Sequence, residues 1–189
     1  LDNRNGGRVI GEADTALHSQ NLQNSGGQIQ SVGDLLLDSA QGVVNNVSGL
    51  IRGGQAVTLN AVAFVNQNTL GENQGLEGQR VAMTTLSLDN QNGSLLASDA
   101  LALHNSGTLN NSGGALASSG LLEIDGADLN VINQNGTLKA GEKLHVNADR
   151  LDGSGQILSL GDMDLHSAQS LTNSGAMIAN GDFTLSTTA

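Results

Sequence analysis

The sequence predicts an all-β fold, a parallel β-solenoid of about nine coils with roughly 21 residues per coil. Three observations predict it. First, a spacing frame begins at Leu22 and runs through Asn24, Gly27 and Ile29 to an apolar anchor at Leu37. The same frame recurs without a gap at Val44, Asn46, Gly49, Ile51 and Leu59, and again at Leu88, Asn90, Gly93, Leu95 and Leu103. Two further copies run Leu109, Asn111, Gly114, Leu116, Ile124 and Val131, Asn133, Gly136, Leu138, Val146. Second, the last anchors of all copies are Leu17, Leu37, Leu59, Met83, Leu103, Ile124, Val146, Leu165 and Leu185. Their spacings are 20, 22, 24, 20, 21, 22, 19 and 20 residues, a mean of 21, which defines nine copies. Third, each copy alternates apolar and polar residues over short segments bounded by Gly and Asn, as in Leu35 to Ser39 and Leu144 to Ala148. No stretch shows helical spacing with caps. A leucine-rich repeat has a similar period but needs tightly spaced leucines and usually a helix, of which only fragments occur.

Taken in chain order, a copy begins with a first anchor and an Asn two residues later: Asn3, Asn24, Asn46, Asn66, Asn90, Asn111, Asn133 and Asn173, with Gly153 in copy eight. Asn tolerates left-handed backbone angles and bonds nearby turns, and amides stacked coil on coil can form a ladder. Gly27, Gly49, Gly93, Gly114 and Gly136 then sit two residues before the second anchor, where a bend with positive φ is expected. The second anchors, Val9, Ile29, Ile51, Leu95, Leu116, Leu138, Ile157 and Met177, precede the last ones by eight residues in every copy except the fourth. About three short strands per copy follow, each pairing with its equivalent ~4.8 Å away, which makes a rod on the order of 43 Å long. Copy four breaks the rhythm. Between Asn66 and Met83 it carries extra residues, expected as a surface loop, with Thr69, Leu70, Glu72, Asn73, Gln74, Leu76 and Glu77 as the candidate binding loop. Deletion of residues 70–78 is expected to leave folding intact.

Composition agrees with a narrow, uniform interior. The only aromatics are Phe64 and Phe183, there is no Pro or Cys, and 26 residues are Gly. A net charge of −11 excludes a general nucleic-acid binder and bulk electrostatic binding to anionic lipid or sulfated glycan. No run approaches a membrane span. Leu1 opens the chain and no leader precedes it, so an intact precursor is not expected. One repeat domain covers residues 1–189 and reads as a fragment of a longer array, with exposed strand edges expected at both ends.

The residues that carry chemistry are scattered. Calcium-binding repeats need G-G-x-G-x-D, and Gly26-Gly27 and Gly113-Gly114 lack what should follow. Asp14, Asp34, Asp162 and Asp182 recur three before the last anchor, but Ala56, Arg80, Ala100, Leu121 and Lys143 interrupt that ladder. His18, His104 and His166 each follow a last anchor and point outward, while His145 precedes its own. No metal ligand spacing or catalytic set emerges, so no metal, cofactor or enzymatic activity is expected. A β-helical polysaccharide enzyme, the rival class, needs convergent carboxylates and usually aromatic platforms, and the chain has neither Trp nor Tyr.

The phrases LQNSGGQI (22–29), LNNSGGAL (109–116) and LTNSGAM (171–177), with GDLLL (33–37) and GDFTL (181–185), resemble the haemagglutinin repeats of bacterial filamentous haemagglutinin-like exoproteins. The resemblance covers essentially the whole chain and is weakest in copy four. It implies a right-handed parallel β-helix, exported through an outer-membrane two-partner-secretion transporter and displayed on Gram-negative cells. It further implies an adhesin or the stalk of a contact-dependent inhibition toxin. The partners expected are flanking coils of the same parent chain, that transporter, and a host or neighbouring-cell receptor. Neither nucleic acid nor membrane insertion of this segment is expected. The functional expectation is a rigid stalk presenting a distal adhesive or toxin-delivery domain, with direct receptor binding by the copy-four loop as the alternative.

Overall fold

The computed structural model describes residues 1–188, which form eighteen strands with no helix among them. Successive segments of one coil run around the axis, so the edge available to each is the equivalent segment of the next coil, pointing the same way. Pairing is accordingly parallel throughout, from Val9 opposite Ile29 in the first coil to Leu165 opposite Leu185 in the last. In coil two the three sides are Leu22–Gln23, Gln28–Ser31 and the first half of Leu35–Asn45.

Register turns the sequence anchors into columns. The first column stacks Leu22, Val44, Phe64, Leu88, Leu109, Val131, Leu151 and Leu171. The last-anchor column joins Leu17 to Leu185 through all nine copies. A further column two residues before it stacks Leu35, Val57, Val81, Leu101, Leu122, Leu144 and Met163. Apart from the end members Leu17, Leu171 and Leu185, these side chains form one continuous buried cluster along the rod. Phe64 is fully buried in it, while Phe183 lies on the last coil and is 46% exposed.

Where two sides converge, only small residues fit. Ser31, Gly53, Ala97, Ser118, Ala140 and Ser159 fill one corner, and a Cβ on Gly53 would lie 2.8 Å from Val57 Cγ2. The opposite corner has no tight turn in most coils, the exception being residues 126–129, where Leu129 N donates to Gly126 O at 3.4 Å. Strands such as Leu35–Asn45 and Lys143–Gly153 run through it, and register slips at Ser39/Val43, Thr85/Ser87 and Ala148/Arg150 produce the bend.

Two expectations are corrected. Copy four does have its second anchor: Leu76 pairs with Ile51 and Leu95 and is fully buried, but stands seven residues before Met83 instead of eight. The extra residues lie ahead of it, so the excursion is confined to residues 70–74, and Glu77 to Arg80 belong to the strand Gly75–Asp89.

The second correction concerns glycine. Gly27, Gly49, Gly93, Gly114 and Gly136 do not have positive φ. The left-handed residue is the one before, occupied by Gly26, Ser48, Asn92, Gly113 and Asn135 with φ between 50° and 65°. The recurrent spacing has a different cause. A Cβ on any of those five glycines would drive into the backbone carbonyl oxygen of the ladder Asn one coil earlier. The requirement is close approach of two backbones, not an unusual dihedral.

Candidate functional site

The corner that holds these glycines also holds the asparagines, and the Asn side chains turn inward. Asn24, Asn46, Asn66, Asn90, Asn111 and Asn133 are buried. Each Nδ2 donates to the Oδ1 of the Asn one coil on: Asn3 to Asn24 at 2.7 Å, Asn24 to Asn46 at 2.7 Å, and Asn46 to Asn66 at 2.8 Å. Asn66 to Asn90, Asn90 to Asn111 and Asn111 to Asn133 follow, each at 2.8 Å. The second amide proton reaches main-chain carbonyls, as from Asn90 to Gly93 and Ala115. A buried amide with both protons and its oxygen engaged costs little and specifies register. The run stops at Asn133, because coil eight has Gly153 there. Asn173 bonds only within its own turn, to Gly175.

The copy-four excursion interrupts this corner without breaking the ladder. Thr69 takes the position of the corner glycine and is buried. In coils six and seven, Ala115 N and Thr137 N donate to the carbonyls of Gly93 and Gly114. Here the chain leaves for the loop, and Thr69 Oγ1 instead accepts from Ser94 N at 3.0 Å while donating to Asn66 O at 3.1 Å. The threonine hydroxyl replaces the diverted carbonyl. Sequence reasoning missed this; the signal available was Thr69 standing three residues after the ladder Asn, where the five regular copies have Gly27, Gly49, Gly93, Gly114 and Gly136.

Of the candidate loop residues, Thr69 and Leu76 are therefore interior and unavailable to a partner. Leu70, Glu72 and Asn73 are exposed and Gln74 is half-buried. Glu77 is held by Arg52 from the preceding coil, with Oε2 2.8 Å from both Nε and Nη2. Beyond Glu77 a shallow groove of about 560 Å³ crosses several coils, lined among others by Leu96, Ser98, Ala117, Lys139 and Leu160. Deleting 70–78 would remove Leu76 from its column, so the expectation that this leaves folding intact is withdrawn. Deletion of 70–74 alone is expected to cost about 1–3 kcal/mol, because Thr69 would then crowd the Asn46 carbonyl as any Cβ does at this position. Combining the deletion with Thr69→Gly should restore stability in chemical denaturation followed by circular dichroism.

The polar groups outside the corner serve the stack. Asp14 Oδ1 accepts from Asp34 N at 2.9 Å, Asp34 Oδ1 from Ala56 N at 3.0 Å, and Asp162 Oδ1 from Asp182 N at 3.0 Å. These carboxylates cap the next coil. Three histidines face an aspartate one coil on, His18 with Asp38 and His145 with Asp164 at 3.2 Å, and His104 with Asp125 at 3.8 Å. The sequence contained that signal, since the separations of 20, 19 and 21 residues equal the local coil steps. At the first coil, Arg4 forks onto Asp2 and its hydrogen bond pulls the Asp2 carboxyl down from 3.8 to about 2. A depressed carboxyl stabilises above its unfolded value, so this contribution is present above pH 4 or so and fades as pH falls towards 2. Among the described residues, no three His, Asp or Glu side chains gather as a metal-ligand set.

Comparison with known proteins gives this arrangement a family. The haemagglutinin repeat model matches residues 1–77, 63–138 and 117–189. A Deoxyribonuclease CdiA from Dickeya dadantii (strain 3937) is 37% identical to this chain over 118 residues, 60% of the chain. The chain spans 3% of the length of that relative. No solved structure matches.

Proposed function

On the premise that this chain belongs to the haemagglutinin repeat family, we propose that it is a stretch of rigid shaft that holds a distal adhesive or toxin-delivery domain away from the cell. Proteins of this kind are filamentous exoproteins of two-partner secretion, secreted or held at the cell surface. The single observation that carries the stalk reading is the unbroken inter-coil bonding, in which each buried amide from Asn3 to Asn111 reaches the Asn of the next coil. A stack whose every layer is bonded and packed to the next resists bending and offers proteases few loose segments. Half-exposed Leu185 and Phe183 on the last coil support the further proposal that flanking coils of the parent chain continue the array. The relative's deoxyribonuclease activity is not proposed for these coils.

The test is a change of length in register. Removing residues 88–130 from the parent protein joins Ser87 to Val131 and deletes two whole coils, since Leu88 and Val131 occupy the same column. The shaft should shorten by ~10 Å while secretion, fold and distal activity persist. Loss of distal activity with the fold intact would sink the spacer reading. The second reading, direct binding by the loop, is favoured by Leu70, Glu72 and Asn73, which are exposed on the copy-four excursion. Cell binding lost from the 70–74 deletion carrying Thr69→Gly, and kept by the two-coil deletion, would establish it.

A further inference from the structure

The geometry points to Asn135-Gly136 as a site of spontaneous covalent modification, in which the side-chain amide is lost through a cyclic imide to give aspartate or isoaspartate. The chain has four Asn-Gly steps: Asn5-Gly6, Asn92-Gly93, Asn135-Gly136 and Asn180-Gly181. Gly lets its nitrogen approach the preceding side chain because no Cβ intervenes. The nitrogen must give up its proton to attack, so an N–H already hydrogen-bonded is protected. Three of the four are protected: Gly6 N donates to Gly26 O at 2.9 Å, Gly93 N to Asn90 O at 3.0 Å, and Gly181 N to Gly161 O at 2.9 Å. Gly136 N has no acceptor among the described residues.

The cause is the short eighth coil. In regular coils the ladder Asn carbonyl accepts from its own corner glycine, as Asn24 does from Gly27 and Asn111 from Gly114. Coil eight reads Gly153-Ser154-Gly155 and reaches its corner one residue sooner. Gly155 N then takes Asn133 O at 2.8 Å, and the Gly136 amide is displaced from that acceptor. Ser154 adds a second effect. Its Oγ lies 3.2 Å from Asn135 Oδ1 and 3.0 Å from Gln134 Oε1, and it accepts from Asn135 N at 3.2 Å. The single Ser154 hydroxyl proton is shared between these two oxygens, and when it is on Oδ1 it withdraws electrons from Asn135 Cγ and makes it more open to attack. Asn135 is exposed, so solvent meets its side-chain amide, while the adjoining Gly136 is buried.

The atoms balance without an oxidant or reductant. Gly136 N loses its proton to solvent base and bonds to Asn135 Cγ; the Cγ–Nδ2 bond breaks and ammonia leaves. Water then opens the ring at either carbonyl, leaving aspartate or an isoaspartate whose backbone runs through the former side chain. Each product adds a negative charge at the corner of coil seven. Isoaspartate also lengthens the main chain two residues after Asn133, the last Asn of the ladder.

The experiment incubates the whole folded chain at mildly alkaline pH and follows amide loss at Asn135 and Asn92 by peptide mass spectrometry in the same sample. A denatured sample sets the intrinsic rates, which should be alike. In the folded chain Asn135 should convert at least several-fold faster than Asn92, its matched position in coil five. Equal rates, or faster loss at Asn92, would overturn the inference, as would no conversion at Asn135 over a time in which the denatured chain reacts.

Discussion

Asn90→Asp is expected to destabilise the rod by about 3–5 kcal/mol at neutral pH. Asn90 Nδ2 supplies protons to Asn111 Oδ1, Gly93 O and Ala115 O, and its Oδ1 receives one from Asn66. A carboxylate can still accept from Asn66 but donates to nothing. It would face the Asn111 oxygen and two carbonyls as a buried charge with no cation nearby. Burial raises its folded pKa above the unfolded value near 3.9. A raised carboxyl pKa means that the folded state holds its proton more tightly, so the penalty is full above that raised pKa and diminishes as pH falls through it. Urea titrations of wild type and variant at pH 7 and pH 4 measure both the size and the sign. Equal destabilisation at the two pH values would contradict the buried-charge account. Because each coil is supported by its neighbours alone, the melt should also lose cooperativity, with the two sides of coil five separating.

Adjacent glycines should respond to different degrees and for different reasons. Gly114→Ala is expected to cost about 3 kcal/mol, because its Cβ would meet the Asn90 carbonyl oxygen and neither backbone can retreat without opening the stack. Gly113 has φ of 64° and its Cβ would meet only the Asn92 side-chain oxygen, which can rotate away. Gly113→Ala should therefore cost about 1–2 kcal/mol from the left-handed backbone. Gly113→Asn should be nearly neutral, since Asn92 and Asn135 already occupy that position with φ of 50° and 53°. Thermal melts of the three variants decide the matter. If Gly113→Ala proves the more damaging, the corner is limited by dihedral and not by backbone approach.

The coil period and the anchor columns of the core were legible in the sequence, whereas the column of Val57, Val81, Leu101, Leu122 and Met163 emerged only from register, and copy four shows why the legibility had a limit. Leu22, Ile29 and Leu37 could be recognised as inward because burial demands an aliphatic at the same phase in each copy. Leu76 escaped because five extra residues separate it from Asn66 and one residue fewer separates it from Met83, so it is out of phase with both. Thr69 escaped for a related reason: a polar residue near an irregular stretch reads as loop, and its role depends on the Ser94 amide of another coil. His18 and Asp38 are likewise partners only once register is known.

The sequence by itself determined the strand class, the number of coils, the anchor columns and the family. All of these rest on the alternation and spacing of side chains, which act locally and repeat. Only the tertiary structure decided which glycine is kept for its dihedral and which for the carbonyl beside it. It also decided where the loop begins and ends, and which Asn-Gly amide is left without an acceptor. Those are relations between backbones about twenty residues apart, set to within a hydrogen bond by how one coil seats on the next.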